Sequence, residues 1–208
     1  MTRMKNKKMK QRANVWPNSA SAMKDILKLH FPTGSIVDVN YGLGVFYSKV
    51  GRDRVTGVDI RPTADVIADA RDLPFENDSF DIAVCDPPYK RGDGLKYESR
   101  YGKAPKTETQ VTRSYFEMIP ECVRVAKKGM VIKTQDGTDG HRFIPRHVQI
   151  IEFVRDLTGL YPHDMGVNVR RKLSNTMAQG RPHFFQNGVS YWLIYRWRSK
   201  NPFRPVRF

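Results

Sequence analysis

Residues 80–89 read Phe-Asp-Ile-Ala-Val-Cys-Asp-Pro-Pro-Tyr, and this stretch decides how the rest of the chain is interpreted. The mainly apolar run from Phe80 to Cys85 has the length and residue types of a buried β-strand. Proline has no backbone N–H group, so it cannot continue the hydrogen bonding of an interior strand. The strand is therefore predicted to end at Asp86, with a Pro87-Pro88 turn directly after it.

Similar short apolar strands occur on both sides of this stretch, with helical patterns between several of them. The other predicted strands are residues 36–39, 55–59, 65–69, 129–133, 167–169 and 190–196. The predicted helices begin at Asn18 or Ser19, at residue 111 and at residue 144, and they end at Phe31-Pro32, residue 126 and residue 157. Strands that alternate with helices predict an α/β fold, with a sheet covered by helices on both faces.

Two of these helices carry further signals. Pro120 is expected to interrupt or kink the helix at residues 111–126. In the helix at 144–157, Pro145 lies near the start and Gly159 just past the end. Its predicted apolar face consists of Val148, Ile151, Val154 and Leu157.

The composition indicates one globular domain with a large excess of positive charge. The chain has 208 residues, of which 39% are hydrophobic, and 36 Lys and Arg against 21 Asp and Glu give a net charge of +15. The usual partners of so basic a protein are the polyphosphates DNA and RNA. We therefore expect a single domain at residues 16–208 that binds nucleic acid. A basic, disordered tail is expected at residues 1–15.

Several other classes of protein are disfavoured. Cys85 and Cys122 form neither a disulfide framework nor a zinc spacing, and the five histidines show no metal-ligand pattern, so no metal is expected. No apolar stretch is long enough for a membrane span, and the basic N-terminus lacks an apolar signal core. We expect no membrane partner and a cytoplasmic location. Residues 136–140 lack the full calcium-loop pattern and are predicted to form a turn.

A glycine turn follows the predicted strand at 36–39. Asp38 lies at the end of the strand, Gly42 and Gly44 follow, and the next strand ends at Asp59. Glycines at such a turn let a ligand approach the backbone, and a carboxylate at the next strand end can accept hydrogen bonds from ribose hydroxyls. The third glycine of the dinucleotide fingerprint is absent, which favours S-adenosylmethionine (SAM), a cofactor with ribose and adenine but no phosphate.

The third strand ends at Asp69-Ala70, and the fourth at Asp86. The Asp69 carboxylate could accept from an adenine amine, and Ala70 offers backbone polar groups. The amine of a base is a poor nucleophile because its lone pair is delocalised into the ring. The Asp86 carboxylate and the Pro87 carbonyl could accept its N–H bonds and make the nitrogen tetrahedral. Tyr89 could stack on an extruded base.

This order of motifs resembles class I SAM-dependent methyltransferases, and more narrowly the amino-methyltransferases that act on adenine N6 or cytosine N4 in DNA. The resemblance covers residues 33–135 and implies a Rossmann-like sheet of seven strands, the last of them, Ser190 to Arg196, antiparallel. It implies Asp86, Pro87, Pro88 and Tyr89 as the catalytic residues. The implied SAM contacts are Asp38, Asn40, Tyr41, Gly42, Gly44, Asp59, Ile60, Asp69, Ala70 and Asp86.

The resemblance also indicates which substrate to expect. Asp rather than Ser at position 86 favours adenine in DNA, whereas Val39 and Asn40 stand where DNA amino-methyltransferases usually carry Pro and Phe. No separate recognition domain is visible, so low sequence selectivity and recognition by a dimer both remain open. The candidate nucleic-acid contacts are Lys90, Arg91, Lys96, Tyr97, Arg100, Arg170, Arg171 and Lys172.

Three alternative functions are compatible with parts of the sequence. An RNA base methyltransferase shares the tetrapeptide type. A protein-glutamine methyltransferase also uses a planar amide nitrogen, but its family usually has Asn at position 86. A non-catalytic SAM-binding or nucleic-acid-binding subunit is disfavoured by the intact Asp86 to Tyr89 motif.

Overall fold

The computed structural model describes residues 14–88, 105–139, 142–169 and 188–197. Its strands are β1 (Val15–Trp16), β2 (Ile36–Asp38), β3 (Val55–Asp59), β4 (Val66–Ile67), β5 (Phe80–Cys85), β6 (Ala126–Thr134), β7 (Gly137–Asp139), β8 (Arg142–Ile144), β9 (Asp164–Val169) and β10 (Val189–Arg196). Its helices are α1 (Ser19–His30), α2 (Glu108–Val125) and α3 (Arg146–Thr158), and a short 3₁₀ helix covers Val45–Tyr47.

The main sheet has the strand order β1-β9-β10-β6-β5-β2-β3-β4. Strands β2 to β6 of this sheet run parallel to one another, and β10 runs antiparallel to both β6 and β9. This arrangement confirms the predicted mixed Rossmann-like sheet with its antiparallel last strand. All seven predicted strands are present, and the described part of the chain adds an eighth, β1.

Strand β1 was not predicted, because it is only two residues long and borders the basic segment. Val15 pairs with Val167, and Trp16 pairs with Asn168, in parallel register with β9. The Trp16 ring fills the space beside Gly166, where any Cβ would overlap it. The folded domain therefore includes Val15, which the sequence had assigned to the tail, while residues 1–13 lie outside the described part of the chain.

The helices cover both faces of the sheet, as predicted. Ile119 of α2 and Val154 of α3 pack with Ala83 in one core, and Met23 of α1 packs with Ile82 in the other. Ala83 and Ile82 are successive residues of β5, and successive side chains of a strand point to opposite faces. In the described segments no helix is long and apolar enough to cross a membrane.

Helix α1 matches its prediction closely. The Asn18 side chain accepts a hydrogen bond from the Ser21 N–H at 2.9 Å and caps the first turn. The helix ends where Phe31 leaves helical geometry and donates to the Leu27 carbonyl.

The other two helices differ from the sequence prediction in detail. Helix α2 begins at Glu108 rather than residue 111, because Thr107 caps it by accepting from the Gln110 N–H at 3.1 Å, and it continues through Pro120. The buried face of α3 contains Ile150, whereas Val148, predicted to belong to it, is 40% exposed. The turn predicted at residues 136–140 is also wrong for 137–139, because these residues form β7 and pair with β8.

Candidate active site

The carboxyl ends of β2 and β5 meet at the point where the chain reverses direction along the sheet. From β2 the chain proceeds to β3 and β4 on one side, and β5 and β6 then occupy the other side. Open α/β sheets bind ligands in the crevice at such a switch point. A cavity of about 420 Å³ lies there, lined by Val39, Asn40, Tyr41, Gly42, Leu43, Val45, Phe46, Asp59, Ile60, Arg61, Ala68, Asp69, Ala70, Asp86, Pro88 and Met118.

Most of the described residues predicted to bind cofactor or substrate line this one cavity. The predicted residues found in the lining are Asn40, Tyr41, Gly42, Asp59, Ile60, Asp69, Ala70, Asp86 and Pro88. Asp38, Gly44 and Pro87 are not in the lining. Residues 90–100 and 170–172, with the candidate nucleic-acid contacts, lie outside the described residues, as does Tyr89.

Asp38 organises the glycine loop from behind the cavity. Its side chain is buried, and its two oxygens accept from the Asn40 N–H at 3.1 Å and the Tyr47 hydroxyl at 2.9 Å. Burial raises the pKa of Asp38 to about 7, although both hydrogen bonds oppose this rise. Asp38 therefore shapes the loop, and the cofactor contact that the resemblance implies for it stays a prediction.

The two glycines of the loop allow a sharp turn and make room for a tyrosine. Gly42 and Gly44 both have left-handed backbone, with φ of 61° and 64°. A Cβ at Gly44 would overlap the Tyr41 ring, which also packs beside Gly57 and nearly parallel to Tyr47. Gly44 therefore supports the loop through Tyr41, while Gly42 and Tyr41 line the cavity itself.

Asp59, the predicted ribose acceptor, is already engaged on both oxygens. Oδ2 accepts from the Gly42 N–H at 2.9 Å and from Arg61 Nη2 at 2.9 Å. Oδ1 accepts from the Arg61 N–H at 3.1 Å and from its Nε at 3.0 Å. Burial raises the pKa of Asp59, but the hydrogen bonds from Arg61 and Gly42 outweigh it and leave the pKa lowered. A ribose can reach this carboxylate only by displacing the Arg61 guanidinium.

Replacing Arg61 by methionine is therefore expected to tighten SAM binding. The variant opens acceptor positions on Asp59 and removes a positive charge from the cavity, and SAM is itself a cation. We expect an affinity gain of roughly fivefold, the scale of the ~1 kcal/mol that one hydrogen bond contributes net. Isothermal titration calorimetry measures it. Arg155→Met is the matched control, because Arg155 also donates two hydrogen bonds to an aspartate, Asp156, and neither residue lines the cavity. Weaker binding of SAM to Arg61→Met would contradict this prediction and would indicate that the guanidinium contributes to cofactor binding.

Asp69, the predicted adenine acceptor, has a similar arrangement in a more open place. Its oxygens accept from Arg71 Nε at 2.9 Å and 3.1 Å, and from Arg71 Nη2 at 2.6 Å. The Asp69 side chain is 39% exposed, whereas the neighbouring Ala70 is buried in the cavity wall. The hydrogen bonds from Arg71 hold the pKa of Asp69 below its usual range, so the residue is an anion at neutral pH.

Asp86 lies at the far end of the cavity beside a lysine that is not among the predicted site residues. Lys133 Nζ is 3.2 Å from Asp86 Oδ2 and 3.4 Å from Oδ1. Burial raises the pKa of Asp86, while the Lys133 ammonium opposes that rise. A signal for this lysine was present in the sequence, since Lys133 directly follows the apolar run Met130 to Ile132 at the end of β6.

Asn40 ties the glycine loop to the end of β5. Its Oδ1 accepts from the Asp86 N–H at 3.2 Å, and its Nδ2 lies 3.6 Å from the Met118 sulfur. The Asn40 amide therefore fixes the backbone of Asp86 relative to the glycine loop.

The chain matches no protein-family model and no curated protein at a significant level. It does resemble solved structures. Protein 1320 of Thermoplasma acidophilum is 11% identical over 86% of this chain and 87% of its own, with a TM-score of 0.55. A candidate methyltransferase of Bacillus halodurans is 11% identical over 85% and 98%, with a TM-score of 0.53. TrmN of Thermus thermophilus is 14% identical over 85% of this chain but 49% of its own, with a TM-score of 0.50.

At such low identities the likeness concerns the fold alone. The strand order of the main sheet, with its antiparallel β10, is that of a mixed Rossmann-like sheet. The chain therefore has the Rossmann-like α/β methyltransferase fold.

Proposed function

We propose that this chain is a SAM-dependent methyltransferase that transfers a methyl group to an exocyclic amine of a nucleic-acid base, with adenine N6 in DNA as the favoured target. One observation carries the proposal. The acids suited to ribose and adenine, Asp59 and Asp69, line the same cavity as Asp86 and Pro88. A cofactor held by the first pair would lie next to the acceptor that an amine needs.

The cavity suits SAM in its chemistry. Its volume of about 420 Å³ is in the range of small-molecule sites. Asp59 would hold the ribose, Asp69 and Ala70 the adenine edge, and Ile60 the adenine face. The methionine part would lie along Asn40 to Gly42. When bound, SAM would supply an electrophilic sulfonium methyl group.

Asp86 would prepare the nucleophile. Its carboxylate accepts an N–H of the base amine and draws the nitrogen towards tetrahedral geometry, which makes the lone pair available for attack. The Pro87 carbonyl, fixed in a rigid turn, can accept the second N–H. Most of the rate enhancement then comes from positioning and from preorganised charge, because no covalent intermediate is needed. Tyr89, the next residue, is proposed to stack on the extruded base.

The charge of the chain supports nucleic acid as the substrate. The net charge is +15, and the basic residues Lys90, Arg91, Lys96 and Arg100 follow the catalytic motif directly in sequence. We propose that they contact the phosphate backbone together with Arg170, Arg171 and Lys172, and that Tyr97 stacks on a base. Such contacts position the strand but do not read its sequence.

Nucleic-acid binding is expected to weaken steeply with salt, because each neutralised phosphate releases counterions. With about six phosphate contacts, the affinity for a DNA duplex would fall on the order of a thousandfold between 50 mM and 200 mM salt. Fluorescence anisotropy measures the slope. Replacing Lys90 and Arg91 by glutamine should reduce it, whereas Lys28→Gln, on the exposed side of α1, should not. A flat salt response would refute the proposed footprint.

Transfer of a tritiated methyl group tests the substrate class. The chain is incubated with labelled SAM and with duplex DNA, single-stranded DNA, tRNA, rRNA or a protein extract in parallel. Incorporation into DNA supports the favoured target, and incorporation into RNA alone would replace it with an RNA base. Label in protein alone would contradict the nucleic-acid proposal.

A further inference from the structure

Lys133 of β6 is a buried lysine next to the candidate active site. It is 5% exposed, while Lys127 and Lys128, on the same strand, are exposed. A lysine is rarely buried unless its ammonium is paired, because the charge loses its hydration. The ammonium of Lys133 lies against the Asp86 carboxylate, at 3.2 Å.

The sheet register explains this meeting. Cys85 lies opposite Ile132 in the parallel ladder of β5 and β6, so Asp86, the first residue after β5, lies beside Lys133 of β6. On its other side Lys133 pairs with Trp192 of β10. The ammonium lies 5.8 Å from the Trp192 ring centre and 5.2 Å from that of Phe46, a residue of the cavity wall. Cation–π contacts and one carboxylate therefore hold the ammonium behind Phe46 and Asp86, which line the cavity.

The other charged and titratable groups around Asp86 cannot replace this cation. Asp38, at the end of β2, is an acid that disfavours a second negative charge nearby, and the two carboxyls interact. Tyr115 of α2 is a buried phenol, and its hydroxyl donates to the Lys133 carbonyl at 3.0 Å. Cys85, adjacent in sequence, is a buried thiol whose pKa is raised by Cys122 and by burial. Among these groups Lys133 alone carries a positive charge.

We propose that Lys133 is a positioning residue of the methyl-transfer site, which holds the Asp86 carboxylate in place as the anionic acceptor for the target amine. The inference rests on the proposed function and adds a residue to it. Lys133 acts through Asp86 and does not need to touch substrate or cofactor.

The charge balance of the reaction explains why Asp86 has to be ionised. The nitrogen lone pair forms an N–C bond while the C–S bond breaks and its electron pair stays on sulfur. The methylated nitrogen then carries a positive charge and releases one proton, which the Asp86 carboxylate accepts and passes to solvent. A protonated Asp86 could not take this proton and would lose an acceptor for the amine. Lys133 keeps its own proton throughout.

Neutral substitution of Lys133 should therefore move the pH dependence of the reaction. Without the ammonium, burial of Asp86 is unopposed and its pKa rises. The acid limb of kcat against pH then moves to higher pH in Lys133→Gln and Lys133→Met. We expect this limb to move by about one pH unit, so that kcat on the limb falls by up to about tenfold at a given pH and recovers as the pH rises. The KM for SAM should stay within about twofold, and Lys133→Arg should keep the wild-type acid limb.

The controls separate this role from a structural one. Lys128→Met, on the same strand, removes an exposed lysine that pairs with Asp81 at 2.8 Å, and should leave the profile unchanged. Thermal melting checks that each variant is folded. If the neutral variants do not fold, the wild type and Lys133→Arg still test the inference, because an acid limb displaced by the arginine would overturn it.

A carboxyl titration makes the test independent of activity. The chain is labelled with ¹³C at aspartate carboxyls, and the Asp86 signal is assigned from its loss in Asp86→Asn. A higher pKa of Asp86 in Lys133→Gln supports the inference, and an unchanged pKa overturns it. Absence of methyl transfer by the wild-type chain would instead contradict the proposed function, and the titration would still report on the Lys133–Asp86 pair.

Discussion

Asp86→Ala is expected to abolish methyl transfer while SAM remains bound. In the proposed mechanism the carboxylate is the acceptor that pulls the amine nitrogen out of conjugation, and alanine offers nothing in its place. Loss of one preorganised hydrogen-bonding group at a transition state typically lowers kcat on the order of 10²–10³-fold. Single-turnover transfer with tritiated SAM measures the rate, and calorimetry measures cofactor binding separately.

Two further variants define the cause of that loss. Asp86→Asn keeps one acceptor oxygen and the shape of the side chain, so it should retain more activity than alanine. Asp156→Ala removes an aspartate of α3 whose side chain is 68% exposed, and it should behave as wild type. A fully active Asp86→Ala variant would rule out the proposed mechanism, whatever its effect on stability.

Asp59→Ala is expected to weaken SAM binding by about 1–3 kcal/mol, the scale of charge-assisted hydrogen bonds to the ribose hydroxyls. The carboxylate is the acceptor that a ribose would use, and its removal also releases the Gly42 N–H that it holds at 2.9 Å. Calorimetric titration with SAM and with S-adenosylhomocysteine should show the same loss, because the two share the ribose. Analogues that lack both the adenine and the ribose should bind to Asp59→Ala about as well as to the wild type.

Asp65 provides the matched control for Asp59. It also accepts from a backbone N–H, that of Gly57 at 2.8 Å, and from a bidentate arginine, Arg52, but it does not line the cavity. Asp65→Ala should therefore cost stability without changing SAM affinity. Equal SAM affinity in Asp59→Ala and wild type would refute the assignment of Asp59 as the ribose acceptor. The orientation of the cofactor that follows from this assignment would then be refuted as well.

The strand ends of the candidate site could be located from the sequence because each carries a local signal. Asp38, Asp59, Asp69 and Asp86 all follow short apolar runs, and parallel strands place such ends at one edge of the sheet. Hydrophobic pattern and the absence of a proline N–H were enough to predict β5 and its end. The antiparallel β10 was predicted through the family resemblance, since no local signal distinguishes its direction.

The partners of these acids could not be predicted in the same way. Whether Arg61 points to Asp59 or to solvent depends on the turn after β3, which no periodicity specifies. The pairing of Lys133 with Asp86 depends on the register between β5 and β6, which are separated by 40 residues of chain. Strand β1 is stabilised by contacts of Trp16 with Gly166, and its two residues are too few to form a recognisable pattern.

Identification of the methylated atom tests the central claim most directly. DNA and RNA are incubated with SAM that carries a trideuterated methyl group, digested to nucleosides and examined by mass spectrometry against reference nucleosides. We expect a deuterated methyl group on an exocyclic amine, with N6-methyldeoxyadenosine as the main product, and none with Asp86→Ala. A methyl group on a ring nitrogen or ring carbon, or no labelled nucleoside from a chain that binds SAM, would contradict the proposed chemistry.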